Sequence, residues 1–158
     1  MPVIAALALS FAVFKIVHTQ PVHARLVRPQ LKFHYAGALP MYATSDIHDP
    51  KAASNQDLDG VSFLETPWLV SDDPSVASLR ESVRQLWPGD SRRNGRLFAL
   101  GYDARKLVDH LRDGDLANGF NGLTGELSLT PERRIRRTLQ WATFGSDGVA
   151  HPQTSERD

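Results

Sequence analysis

Apolar positions fall in a continuous run near the start of this chain, at helical spacing through its middle and in alternation toward its end. Pro2 to Phe14 is almost wholly apolar, and Phe11-Ala-Val-Phe-Lys-Ile-Val17 is rich in β-branched and aromatic residues. A run of that kind predicts a strand covered on both faces, as in a parallel sheet. Two other readings stay open for the first residues, a cleaved signal peptide and an anchor. The run is shorter than the about 20 residues that cross a bilayer. Its positive charge, Lys15, follows the apolar stretch, whereas a signal peptide carries charge before it.

Pro21 suits the first turn of a helix, where its missing N–H has no partner to lose. Val22, Leu26, Leu31 and Tyr35 follow at broadly helical spacing. Pro29 is expected to kink or split that helix, and Gly37 to stop it. Pro40 to Ser45 predicts a short second strand, so the order strand, helix, strand gives a parallel βαβ unit with a right-handed crossover. Residues 46 to 60 read as a polar loop. Val61 to Val70 is expected to be extended, with Pro67 keeping it out of a regular central ladder.

Ser71-Asp-Asp-Pro74 is a helix start with capping oxygens, negative charge and an early proline. That helix is expected to run to about Trp87, ahead of Pro88-Gly89. A further helix is expected over about 93 to 112. Its Leu97, Leu100, Gly101, Ala104, Leu107, Val108 and Leu111 lie on one stripe, expected to face the core. Gly114 ends it. Gly122-Leu-Thr-Gly-Glu-Leu-Ser-Leu129 then alternates, Thr130-Pro131-Glu132 turns, and Ile135 to Phe144 extends, which predicts a hairpin. The segment after Gly145 is mostly polar, and a flexible tail is expected over 146–158.

Composition narrows the chemistry. The 158 residues suit one globular α/β domain of ordinary size, with 41% apolar and 23% charged residues. Eighteen basic residues balance eighteen acidic ones, so no global field favours nucleic acid or anionic lipid. There is no cysteine, which excludes disulfides, thiolate metal sites, a cysteine nucleophile and direct attachment of a bacterial lipid anchor of the kind that needs an N-terminal Cys.

Catalytic patterns are sparse. The six histidines, at 18, 23, 34, 48, 110 and 151, include no pair four residues apart, the spacing that aims two imidazoles from one helix face. Asp46, His48 and Asp49 form the best local cluster for metal or base chemistry, but in a polar loop they read first as solvated side chains. Asp57-Leu-Asp59-Gly60 lacks the later ligands of a calcium loop and reads as a turn. No cofactor is called for. Arg133, Arg134, Arg136 and Arg137 are a dense basic patch on the second hairpin arm. Alternation puts Arg134 and Arg136 on one face, with Arg133 and Arg137 on the Ile135 side. The patch serves either as a charged edge that deters aggregation or as a contact surface for an acidic partner. Stacking aromatics beside it, as nucleic-acid binding would want, are missing.

Several stretches together resemble one family. They are Ala24-Arg-Leu-Val-Arg-Pro-Gln-Leu-Lys-Phe-His-Tyr-Ala36, Leu39-Pro-Met-Tyr-Ala-Thr-Ser45, Asp57-Leu-Asp-Gly-Val-Ser-Phe63 with Pro67-Trp-Leu69, and Arg96-Leu-Phe-Ala-Leu-Gly-Tyr-Asp-Ala104. Gly122 to Leu129, Arg136 and Trp141 extend the match, which covers about residues 11 to 145. In order and spacing they resemble the C-terminal domain of the LppC/LpoA family, outer-membrane lipoproteins that activate class A penicillin-binding proteins.

The resemblance implies a fragment of a two-lobed type I periplasmic-binding-protein-like α/β fold ending in a β-hairpin. The partial domain would occupy residues 1–145, with the N-terminal part of the domain and a lipid-bearing segment upstream. The chain would cross between lobes near Pro67-Trp68 and over Asp115 to Gly122. The role implied is non-enzymatic: a regulator of peptidoglycan synthesis in the periplasm, outer-membrane-associated in the full-length protein and membrane-bound only through a lipid anchor that this chain lacks. Its partner would be a peptidoglycan synthase. On the same fold, a small-molecule-binding protein would use Thr44, Ser45, Trp68, Tyr102 and Asp103 as cleft contacts. A hydrolase built on Asp46, His48 and Asp49 is the least favoured alternative.

Overall fold

The protein is described from a computed structural model, which covers residues 15–17, 21–35, 37–88 and 94–153. Residues 1–14, including most of the apolar run, lie outside the described residues, as do the polar residues 154–158.

The expected βαβ unit is present. Strand β1 (Lys15–Val17) leads into helix α1 (Pro21–Phe33), and strand β2 (Met41–Ala43) returns parallel to β1, with Ile16 opposite Tyr42. Pro29 does not split α1, which runs through it to Phe33. Pro29 sits on the exposed side, where losing one ladder bond is tolerated. Gly37 is not the stop either. Tyr35 takes the left-handed conformation at φ 58° and turns the chain first, with its N–H on the Lys32 carbonyl at 3.2 Å.

Strand β3 (Ser62–Glu65) pairs parallel with β2. The expected extended segment from 61 to 70 ends there, because Thr66-Pro67 starts a short helix α2 (Pro67–Val70), closed by the Ser71 N–H on the Pro67 carbonyl at 2.8 Å. Proline in the first helical turn explains the change of geometry. Helix α3 (Pro74–Leu86) begins where the capping sequence predicts: the Ser75 N–H donates to the Asp73 carboxylate at 2.7 Å. Helix α4 (Gly95–Asp113) ends on Gly114 at φ 74°, a left-handed cap.

The hairpin is split. Strands β4 (Phe120–Asn121), β5 (Glu126–Leu129) and β6 (Ile135–Thr138) form one antiparallel three-stranded sheet in that order. Its second arm stops at Thr138, and strand β7 (Gln140–Phe144) joins the other sheet beside β3. The division follows the side chains. Every residue of β6 is exposed, whereas Ala142 and Phe144 alternate inward in β7.

The flexible tail expected from 146 is corrected over 146–153. Gly145 donates to the Val149 carbonyl at 2.8 Å, and strand β8 (Ala150–Pro152) completes a five-stranded sheet of order β1-β2-β3-β7-β8. Local turn chemistry does this: Gly148 is left-handed at φ 76°, and the Val149 N–H donates to the Asp147 carboxylate.

The chain divides into two compact units, residues 1–63 with 143–150, and residues 64–142 with 151–158. It therefore passes between them at 63–64, 142–143 and 150–151. Residues 115 to 122 are not a crossing, since they lie wholly inside the second unit, as does Pro67-Trp68, a few residues beyond the first crossing.

Candidate functional site

In the first unit the polar loop from 46 to 60 is tightly organised. Asn55 is buried, and its amide donates to the Asp49 carbonyl at 2.7 Å and the Gly148 carbonyl at 3.3 Å. Ile47 and Leu58 point inward between its short turns. Asp49 binds the Lys51 N–H and lies 3.5 Å from Arg25, while His48 packs against the stacked pair Phe63–Phe144. His48 and Asp49 therefore serve separate local contacts, and Asp46 beside them is exposed. Among the described residues no group of three His, Asp or Glu side chains is arranged to hold a metal ion. Asp57-Leu-Asp59-Gly60 is a turn: Gly60 is left-handed at φ 77°, and the Asp59 carbonyl accepts from the guanidinium of the buried Arg28 at 3.1 Å. Thr44 and Ser45 follow β2, half-buried, at the first of these turns, where the Ile47 and His48 N–H groups donate to their carbonyls.

In the second unit Trp68 is a core residue, 3% exposed, packed with Val83, Ala99 and Leu123. Its ring lies 4.7 Å from Phe98, which in turn lies 6.2 Å from Tyr102. Gly95 is what lets α4 approach so closely, because a Cβ there would meet the Trp68 indole nitrogen at 3.0 Å. Asp103 is 1% exposed and acts as a clamp. Its carboxylate accepts from the Leu123 N–H at 2.8 Å, the Thr124 N–H at 2.7 Å and the Thr124 hydroxyl at 2.6 Å. Three donors offset the burial of this carboxylate. They also explain Gly122, where a Cβ would fall 2.5 Å from the Asp103 Oδ2.

Glu65, which the sequence reading did not single out, is fully buried and bonded to Thr66 and to Arg96, whose Nε lies 3.1 Å from Oε1. The signal for it was in β3: Phe63 and Glu65 share the inward face of an alternating strand, and a charge in such a place needs a partner.

Tyr102 and Asp103 line an open hollow of about 1100 Å³ within this second unit. Lys106, His110, Phe120 and Trp141 line it too, and the sequence marked none of them as a cleft residue. His110 stacks on Phe120 at 4.3 Å and lies 2.8 Å from Asp115. Of the five suggested cleft residues, Trp68, Tyr102 and Asp103 fall in one unit and Thr44 and Ser45 in the other.

The arginine patch surrounds β6 at the edge of the three-stranded sheet. Arg133 occupies the turn at φ 60°, with its N–H on the Thr130 carbonyl, and so belongs to neither face of the strand. Arg136 lies opposite Ser128, and Arg137 opposite Leu127 on the Ile135 face. All four arginines are exposed. Glu132, in the same turn, has its carboxyl held below the usual range, first by a backbone hydrogen bond and then by the Thr130 hydroxyl.

Comparison with known proteins places this arrangement in a family. Residues 11–147 match the family described as "LppC putative lipoprotein". The penicillin-binding protein activator LpoA of Photobacterium profundum is 31% identical over 111 residues, covering 69% of this chain and 18% of the relative. The Vibrio cholerae protein of the same name is 33% identical over 112 residues, covering 63% of this chain and 18% of the relative. The chain thus spans less than a fifth of the length of these curated relatives. Among solved structures, the C-domain of LpoA from Haemophilus influenzae, titled a regulator of PBP1A, superposes with a TM-score of 0.70 at 20% identity. That match covers 98% of this chain and 50% of the other. A leucine-binding protein, LivK, from Thermotoga maritima gives 0.59 at 15% identity, over 94% of this chain and 46% of its own. Both likenesses establish the periplasmic-binding-protein-like α/β fold. With most of its length matched by the family model, the chain belongs to the LppC family.

Proposed function

We propose that this chain is a non-enzymatic regulatory module of peptidoglycan synthesis, which binds a class A penicillin-binding protein in the periplasm and favours its active state. The observation that carries the reading is the family match over residues 11–147, together with relatives named as activators of penicillin-binding proteins. Binding that is tighter to the active than to the inactive synthase suffices for activation, with no catalytic group of its own. The partner surface in this reading is the exposed arginine set Arg133, Arg134, Arg136 and Arg137. In the full-length protein the module would be outer-membrane-associated through a lipid anchor. Among the described residues no helix is long and apolar enough to cross a membrane.

The test is binding of the purified chain to the periplasmic part of a class A synthase by biolayer interferometry. Saturable binding that weakens with salt is expected, and no binding at low salt contradicts the reading.

One observation favours a second reading, a small-molecule-binding protein of the same fold. The hollow in the second unit combines aromatic Tyr102, Phe120 and Trp141 with Lys106 and Glu126, a lining suited to a small zwitterion. Leucine, the ligand named for the LivK structure, is the first probe. A thermal shift with leucine that is lost in Trp141→Ala supports this reading, and no shift with leucine contradicts it for that ligand.

A further inference from the structure

We propose that the outer edge of β6 is a strand-addition site for an extended acidic segment of a protein partner. This deepens the regulatory reading above and rests on it for the partner's biological identity.

The backbone supplies the first half of the case. The Thr130 N–H donates to the Arg134 carbonyl at 2.8 Å, and the register pairs Ser128 with Arg136 and Glu126 with Thr138. In an antiparallel ladder alternate residues turn both backbone groups to the same neighbour. Arg134, Arg136 and Thr138 therefore turn theirs toward β5, and Ile135 and Arg137 turn theirs away. β6 ends its sheet, so the N–H and C=O of Ile135 and Arg137 line an open edge. Both residues are exposed, Ile135 by 42%. An edge of this kind recognises an extended peptide through its main chain.

Charge supplies the second half. Arg136 and Arg137 flank the edge from opposite faces, with Arg133 and Arg134 at its entrance. Their side chains make no ion pair with any described residue. A second copy of β6 in the same place would set arginine against arginine, which disfavours self-pairing. A partner strand with acidic side chains on both of its faces complements both sets at once. A flexible anionic glycan would use the charge and leave the two outward backbone groups unused.

The experiment uses the whole 158-residue chain and a fluorescein-labelled eight-residue peptide of repeating Glu-Glu-Val-Val, which as a strand carries acid on both faces, titrated by anisotropy and by amide hydrogen exchange. Saturable binding is expected, with new protection at the Ile135 and Arg137 amides and unchanged exchange at Arg136 and Thr138. The double variant Arg136→Glu/Arg137→Glu should raise Kd about tenfold or more. Ile135→Pro removes an outward N–H without touching the β5 ladder, and should abolish binding while the Arg136 amide stays protected. Absence of peptide binding overturns the proposal. So does binding without protection of Ile135 and Arg137, which would mark a surface used through charge alone, or self-association of the chain through this edge. The two readings fail separately. A synthase bound equally well by wild type and by the double variant contradicts the edge and leaves the regulatory role standing. A synthase bound by neither contradicts the role, while the peptide result still decides the edge.

Discussion

Helix α4 carries two faces that follow opposite rules. Gly95, Ala99 and Asp103 form the buried line, and they are two small residues and a carboxylate. Leu97, Leu100, Val108 and Leu111, the apolar stripe, are each more than half exposed. The sequence pattern had pointed that stripe at the core, and for this unit the assignment is inverted. Close approach is the cause. Gly95 and Ala99 let the helix come against Trp68, and Asp103 is admitted because three donors from the 122–124 turn converge on it. A hydrophobic stripe at helical period shows that one side of a helix seeks apolar cover. It does not show which side packs against its own unit.

The two faces should answer mutation very differently. Asp103→Ala strands the Leu123 and Thr124 N–H groups in the interior and should lower stability by about 3 kcal/mol in urea denaturation. Gly122→Ala should also destabilise, because its Cβ enters the space of the same carboxylate. Next comes the ion pair between Arg96, in the first turn of α4, and the buried Glu65. Arg96→Ala leaves the Glu65 carboxylate without its cation and should cost about 2 kcal/mol, held down because Arg96 is 44% exposed and water can enter. On the opposite face, Leu97→Gln, Leu100→Gln and Val108→Gln should each stay within about 0.5 kcal/mol of the parent. Losses of 2 kcal/mol or more there, on the scale of about 2–5 kcal/mol for truncating a packed leucine, would show that the apolar face is packed after all.

Two further variants sharpen the contrast between rigid scaffold and exposed hairpin. Arg133 holds a left-handed φ that glycine adopts freely, so Arg133→Gly should stabilise the chain by about 1 kcal/mol. If the arginine edge binds an acidic partner, the same variant should weaken that binding. The smallest effect is a pH dependence. Hydrogen bonds from Ser75 hold the exposed Asp73 carboxyl below its ordinary value of 3.8. A lowered folded value contributes stability that is complete above the unfolded pKa and is lost as pH falls through the folded one. The melting temperature of Asp73→Ala should therefore match the wild type at low pH and fall slightly below it at neutral pH.

Much of this architecture was legible in the residues, and the failures have specific causes. The βαβ order, the Asp73 cap, the Gly114 stop and the β5–β6 hairpin follow from local chemistry that tertiary packing did not override. The stop at Gly37 failed because Tyr35 turned the chain sooner, and the continuous second arm failed because Thr138 ends one sheet before β7 begins in another. Residues 146–153 looked like a tail because their composition is polar, yet a tight Gly145–Val149 turn and one strand order them. The candidate residues fared similarly. Trp68 and Asp103 stood out as aromatic and acidic side chains near a suspected cleft, and both carry packing or hydrogen-bonding roles that only the fold discloses. Lys106 and His110 reach the same hollow from α4 and Trp141 reaches it from β7, a convergence with no signature in the sequence. The arginine cluster was visible from the start. What the fold added is that it brackets an open strand edge.

The central claim is that the chain acts by binding a synthase, and the most direct measurement is enzymatic. A class A penicillin-binding protein is assayed for glycan polymerisation and peptide cross-linking with increasing amounts of this chain. A saturable rise in either rate, diminished by Arg136→Glu/Arg137→Glu, is the predicted result. Rates unchanged at saturating chain would contradict it.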